Sequence, residues 1–119
     1  MTLGVNAKRF LEQAQSTTAA LLPRGLYRLD DVARAMHVSR RTLQRMLASQ
    51  ELNFRDLLVS ARQARLLDLL GRNELSLFEI ALELGYSEHS AFSRAVRAWY
   101  GTTPANLRRA VQVSMKYSG

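Results

Sequence analysis

Leu77-Phe-Glu-Ile-Ala-Leu-Glu-Leu-Gly-Tyr-Ser87 reads as a short amphipathic helix that breaks into a tight turn and reaches a residue able to start another helix. Ser76 and Glu79 have the spacing of a capping box, which places the first turn. Ile80, Ala81 and Leu84 share one face, and Gly85 supplies a left-handed residue without steric cost. Tyr86 is expected to plug the corner and Ser87 to cap the next helix. Phe92, Ala95, Val96 and Trp99 then form the inner face of that helix, expected over 88–99, with Glu88, His89, Ser90, Ser93, Arg94 and Arg97 outside.

The same pattern occurs 48 positions earlier. Val32-Ala33, Met36 and Ser39 align with Ile80-Ala81, Leu84 and Ser87; beyond the serine the offset becomes 49, pairing Leu43 with Phe92, Arg45 with Arg94 and Leu47 with Val96. The second turn is therefore one residue longer. In the first copy Asp30 and Asp31 sit in the opening turn, where the helix dipole favours acids. His37 occupies the left-handed position, one of the few non-glycine types enriched there. Val38 plugs the corner and Ser39 caps a helix expected over 40–49. Leu43, Met46 and Leu47 are expected to face inward, leaving Arg40, Arg41, Gln44 and Arg45 outside. Helical solenoids need three or more copies, so two copies read as paired helix-turn-helix units.

Between the copies, residues 54–71 contain no proline and no internal glycine and are rich in good helix formers. Asn53 and Asp56 are positioned to cap this helix, which at 1.5 Å per residue is roughly 27 Å long. Leu66, Leu67, Leu69 and Leu70 make its second half apolar on more than one side, as expected for a helix packed on two sides. A membrane-surface helix would gather its charges on one face, whereas Arg55, Arg62, Arg65 and Asp68 are scattered. Ahead of the first copy, Ala7, Phe10, Leu11, Ala14, Thr18, Leu21 and Leu22 mark a packing helix over residues 5–22, with Asn6 as its cap and Pro23 and Gly25 at its end. Thr103-Pro104 starts a last short helix, expected to reach about Val111. The expected fold is all-α: two homeodomain-like helix-turn-helix subdomains joined by a long central helix, about seven helices in all. The expected divisions are 1–53, 54–71, 72–112 and a tail over 113–119.

The 119-residue chain carries 17 basic and 10 acidic residues, a formal charge of +7; 15 of the cations are arginine and no acid follows Glu88. Arginine's planar fork suits bidentate contact with phosphate and guanine. The absence of cysteine excludes disulfides and thiolate metal sites and suits a reducing compartment, and no apolar run approaches the ~20 residues that span a bilayer. Two isolated histidines, no phosphate-binding glycine loop and no clustered carboxylates speak against an enzyme, a metal or a cofactor. A polar outer face carrying arginine on each second helix points to double-stranded DNA, with a solvated face as the competing reading and an ion-pair role as the alternative for Arg94. In the first unit Arg41, Gln44 and Arg45 are expected to read bases, Arg40 to meet phosphate or the groove edge, and Ser39, at the helix start, is a further DNA-binding candidate. In the second, Glu88, His89, Ser90, Ser93 and Arg94 are the candidates. Their side chains are shorter and include an acid, so the first unit is expected to carry more of the specificity.

Ser39-Arg-Arg-Thr-Leu-Gln-Arg45, Ile80-Ala-Leu-Glu-Leu-Gly-Tyr-Ser87, Phe92-Ser-Arg94 and Tyr100-Gly-Thr-Thr-Pro104 together resemble the DNA-binding domain of AraC/XylS-type bacterial transcription regulators. The resemblance covers residues 25–110. It implies two recognition helices in successive major grooves of promoter DNA, a cytoplasmic bacterial regulator and contact with RNA polymerase. The sequence departs from the family pattern at His37, usually glycine, at Val96, usually a bulkier aromatic, and at Leu66, usually smaller; the last two are expected to compensate by repacking. Successive grooves lie about 34 Å apart, so the DNA is expected to bend, or the second unit to dock mainly on backbone. The DNA-binding region is expected to be monomeric, and the chain reads as the C-terminal fragment of a longer regulator, with a standalone short regulator as the alternative. The rival function is a helical module that contacts RNA polymerase or a partner regulator and binds DNA weakly.

Overall fold

The computed structural model describes residues 2–118, with side chains described for 7–116, and these residues form seven α-helices and no strand. They are α1 (Thr2–Leu21), α2 (Leu29–Ala35), α3 (Arg40–Ala48), α4 (Phe54–Leu70), α5 (Leu77–Glu83), α6 (His89–Tyr100) and α7 (Pro104–Ser118), with a 3₁₀ turn at Leu22–Arg24. The chain divides into two compact units, Met1–Gln63 and Ala64–Gly119, so the division falls inside α4.

In the first unit, Phe10, Ala14 and Leu21 of α1 pack with Val32 and Ala33 of α2, Leu43 and Leu47 of α3 and Leu57 of α4. Each fully buried leucine in such a core contributes about 1.5–3 kcal/mol. Thr18 is buried without penalty because its hydroxyl donates to Ala14 O at 2.7 Å. α1 begins at Thr2, ahead of the expected start; the side chain of Asn6, its expected cap, lies outside the described residues. Gln50 Nε2 donates to Ala7 O at 3.2 Å and Gln15 Nε2 to Ser60 Oγ at 3.0 Å, tying α1 to the residues after α3 and to α4.

The second unit buries Leu66, Leu69 and Leu70 of α4, Ile80 and Ala81 of α5, Leu84 just after it, Phe92 and Val96 of α6, and Leu107 of α7. Both positions at which the sequence departs in side-chain size, Leu66 and Val96, are fully buried. The buried positions of α4 change face along its length: Leu57 and Ala61 are one turn apart on one stripe, which Leu66, Leu69 and Leu70 do not continue. Asn53 and Asp56 cap the helix reciprocally, Asp56 N donating to Asn53 Oδ1 at 2.9 Å and Asn53 N to Asp56 Oδ2 at 3.0 Å.

Both helix-turn-helix turns close in the same way. Val38 N donates to Ala33 O and Tyr86 N to Ala81 O, each at 3.0 Å, the six-to-one bond that follows a left-handed residue. Those left-handed residues are His37 (φ 59°) and Gly85 (φ 86°), as the sequence leads one to expect. Outside these turns, Gly25 and Gly101 are also left-handed, as is Glu51 (φ 60°), three residues past the end of α3, which carries no sequence signal.

The structure differs from expectation at three further places. Met46 does not face inward; it is 37% exposed, because it lies about 60° off Leu43 on the side away from Leu47, at the edge of the apolar arc. The cap residue of α6 is Glu88 rather than Ser87, so the extra residue of the second turn falls before the cap, and Glu88 pairs with Ser39 at offset 49. α7 does not stop near Val111 but runs to Ser118, through most of the stretch read as a tail. Tertiary contacts hold it there: Gln112 Nε2 donates to Leu70 O (3.3 Å) and Asn73 Oδ1 (2.8 Å), and a β-carbon at Gly71 would come within 2.6 Å of Met115 Sδ.

Candidate nucleic-acid interface

Ser39 starts α3 in extended backbone, and its hydroxyl accepts from Thr42 N at 3.0 Å while donating to Thr42 Oγ1 at 2.9 Å. That hydroxyl is committed to holding the helix start. With Leu43 and Leu47 buried, the opposite face of α3 falls on Arg41, Gln44, Arg45 and Ala48, all exposed. Among the described residues the side chains of Arg41, Gln44 and Arg45 have no ion-pair or hydrogen-bond partner, so five-donor guanidinium forks and an amide stand free on one surface. Arg40 is displaced to one flank, where its Nε meets Asp30 Oδ1 at 3.0 Å across the start of α2; both side chains are more than half exposed. On the other flank a shallow groove of ≈ 400 Å³ is lined by Thr42, Arg45, Met46 and Ser49.

In the second unit, Ser76 and Glu79 form the expected capping box: Glu79 N donates to Ser76 Oγ at 3.1 Å and Ser76 N to Glu79 Oε1 at 2.9 Å. The bonds from Ser76 hold the Glu79 carboxyl below the usual carboxylate range. Arg108 Nη2 donates to Arg72 O (3.0 Å) and Leu75 O (2.7 Å), fixing the connection that leads into α5. With Phe92 and Val96 buried, α6 turns Ser90, Arg94 and Arg97 outward, with Ser93 half-buried beside them. Glu88 is exposed and makes no side-chain cap bond; His89 stands edge-on to the Phe92 ring, 5.7 Å between centroids. Arg94 has no ion pair among the described residues and is exposed.

The candidates thus fall on two helix faces, one in each unit, with Arg40 and His89 on the flanks. Sequence reasoning left out Asp30, whose reach to Arg40 spans two helices, and the groove of ≈ 240 Å³ formed by Leu77, His89, Ser93, Arg97, Thr103, Pro104 and Ala105. The spacing of His89, Ser93 and Arg97 by four signals a common stripe, but not the walls that make it concave. The described residues contain no group of three His, Cys, Asp or Glu placed to hold a metal, and no described helix is long and apolar enough to cross a membrane.

A protein-family model described as a helix-turn-helix domain matches residues 32–110. The chain is 38% identical over 97 residues to the HTH-type transcriptional regulator VirS of Mycobacterium tuberculosis, an alignment covering 82% of this chain and 28% of VirS. Among solved structures it resembles the C-terminal domain of AraT, a response regulator from Geobacillus stearothermophilus, with TM-score 0.68, 29% identity and 84% of each chain covered. A regulator from Chromobacterium violaceum, described among AraC-type DNA-binding domain-containing proteins, gives TM-score 0.61 at 26% identity over 91% of this chain and 97% of that one. The chain spans about a quarter to a third of the length of the curated relatives it matches.

Proposed function

The chain belongs to the family of AraC-type helix-turn-helix regulators, and from that premise we propose that it binds promoter double-stranded DNA sequence-specifically, with α3 and α6 each presented to a major groove. The observation that carries this reading is the outer face of α3: Arg41, Gln44 and Arg45 exposed and unpartnered among the described residues, opposite a buried Leu43–Leu47 stripe. Arginine pairs best with guanine O6 and N7 and glutamine with adenine N6 and N7. Ser39 acts through the helix start it holds, and Arg40 meets phosphate at the groove edge. In α6, Ser90, Ser93 and Arg94 are the base-reading candidates; Glu88 accepts from a cytosine amine, and His89 belongs to the flank. The protein acts in the bacterial cytoplasm, and its DNA-binding region works as a monomer that reads an asymmetric site.

The test is selection from random duplexes at two salt concentrations, with sequencing of the bound fraction. Two unequal sequence blocks about one helical turn apart, and an affinity that falls steeply with salt, are the expected result. A second reading, contact with RNA polymerase or a partner regulator, is favoured by Phe78 and Leu82, 56% and 45% exposed one turn apart on α5. As the main function it requires DNA binding that is weak, unselective and nearly insensitive to salt.

A further inference from the structure

We propose that the groove between α6 and the start of α7 is a seat for one sugar–phosphate unit of the DNA backbone, so that the second unit grips DNA by a route the first unit lacks. This rests on the DNA-binding reading above and assigns it a site beside the base-reading face of α6, with which it shares Ser93. Pro104 is buried, and Leu77, Ser93 and Thr103 are half-buried, so they form the floor; His89, Arg97 and Ala105 are exposed and form the rim. The floor is mainly apolar, which suits a deoxyribose, and the rim carries a cation and an imidazole, which suit its phosphate. No acid lines the groove.

Two further features favour an anion. Thr103 Oγ1 accepts from Asn106 N at 3.1 Å, which leaves the hydroxyl proton to donate. Pro104 is the first residue of the fifteen-residue α7 and has no N–H, so the first uncommitted backbone donor at the positive end of that helix is Ala105 N–H, itself part of the rim. The repeat supplies the contrast. At offset 49 His89 corresponds to Arg40, which is neutralised by Asp30; at offset 48 Asp30 corresponds to Phe78. At offset 49 Arg97 corresponds to Ala48. The second unit therefore keeps its flank cation, Arg97, without an ion pair among the described residues where the first unit carries a closed ion pair. The groove also lies one stripe from Ser90 and Arg94, continuous with the face assigned to bases.

The experiment uses the whole chain and the duplex selected above, carrying single methylphosphonate linkages at successive positions, with wild type and Arg97→Gln. Arg97 is exposed, and a melting curve checks that the variant folds as wild type does. The expected result is one linkage, or two adjacent ones, at which loss of charge weakens wild-type binding several-fold and leaves Arg97→Gln unaffected. The log–log salt slope of Arg97→Gln falls by about one, and the base preference of the site is unchanged. Selective binding with an unaltered slope in Arg97→Gln, or an equal methylphosphonate loss in both proteins, overturns the seat and leaves the DNA-binding reading intact. An altered base preference also overturns it, since Arg97 then reads bases. Were free phosphate the occupant, inorganic phosphate at constant ionic strength would raise the melting temperature of wild type alone while the DNA slope stayed the same, which overturns the DNA assignment. Binding without selectivity or salt dependence overturns this proposal together with the reading beneath it.

Discussion

His37 holds a backbone angle that glycine adopts freely, at φ 59°, so the first turn carries a small strain that Gly85 spares the second. His37→Gly is expected to leave the melting temperature within a degree or two of wild type or raise it. His37→Val, β-branched in the left-handed region, is expected to lower stability by about 1–2 kcal/mol in urea unfolding. Asp30 poses a different problem, because it neutralises a cation on the face proposed for DNA. An exposed pair contributes about 0–1 kcal/mol to folding, so Asp30→Asn should scarcely change stability. It should instead tighten DNA binding, by at most about fivefold at low salt, as Arg40 becomes free and a negative charge leaves the interface. Fluorescence anisotropy checks this, and weaker binding would mean that Asp30 holds Arg40 in its binding pose. Ser76 and Glu79 give a pH signature. The folded carboxyl is depressed, so its contribution to stability is complete above the unfolded carboxylate range and is lost as pH falls through the folded value. Ser76→Ala should raise the Glu79 pKa seen by NMR, and the melting-temperature gap between the two proteins should narrow on acidification from pH 7 to 3.

At the scale of the element, α4 serves two cores with different residues. Leu57→Ala and Leu66→Ala each remove a fully buried side chain and are expected to cost about 2–5 kcal/mol. Their effects should separate by location: amide exchange should accelerate in α2 and α3 for Leu57→Ala, and in α5 and α6 for Leu66→Ala. Acceleration over the whole chain in both would mean that the two units unfold as one. The capping residues show how far local sequence reaches. Asn53 with Asp56 and Ser76 with Glu79 were legible because each pair lies within one turn, where spacing alone dictates contact. The start of α6 was not. Ser87 and Glu88 are adjacent, and which of them caps depends on where the longer second turn absorbs its extra residue. Met46 was misplaced for a related reason: a side chain at the edge of an apolar arc is buried only if a neighbouring element covers that edge.

At the scale of the molecule, the two units repeat one backbone device and present unlike chemistry. The first offers Arg41, Gln44 and Arg45, long side chains proposed to read base edges; the second offers Ser90, Ser93 and Arg94 on its proposed reading face. Replacing the first three by alanine should abolish sequence preference, each good bidentate pair accounting for about 1–3 kcal/mol of discrimination. Replacing the second three should weaken one block of the motif and leave the other. Selection experiments on the two triple variants measure this directly, and equal losses would contradict an unequal pair.

The sequence by itself determined the helices, the two turns with their left-handed residues His37 and Gly85, and the outward cations, because periodicity, caps and turn chemistry act over a few residues. It also determined the repeat, and with it the family. Only the tertiary structure decided that Asp30 closes on Arg40, that α7 continues past Val111 along the end of α4, and that His89, Ser93 and Arg97 meet the start of α7 to make a groove. Those features join residues of different helices, and their contacts depend on how whole helices pack rather than on spacing within one turn.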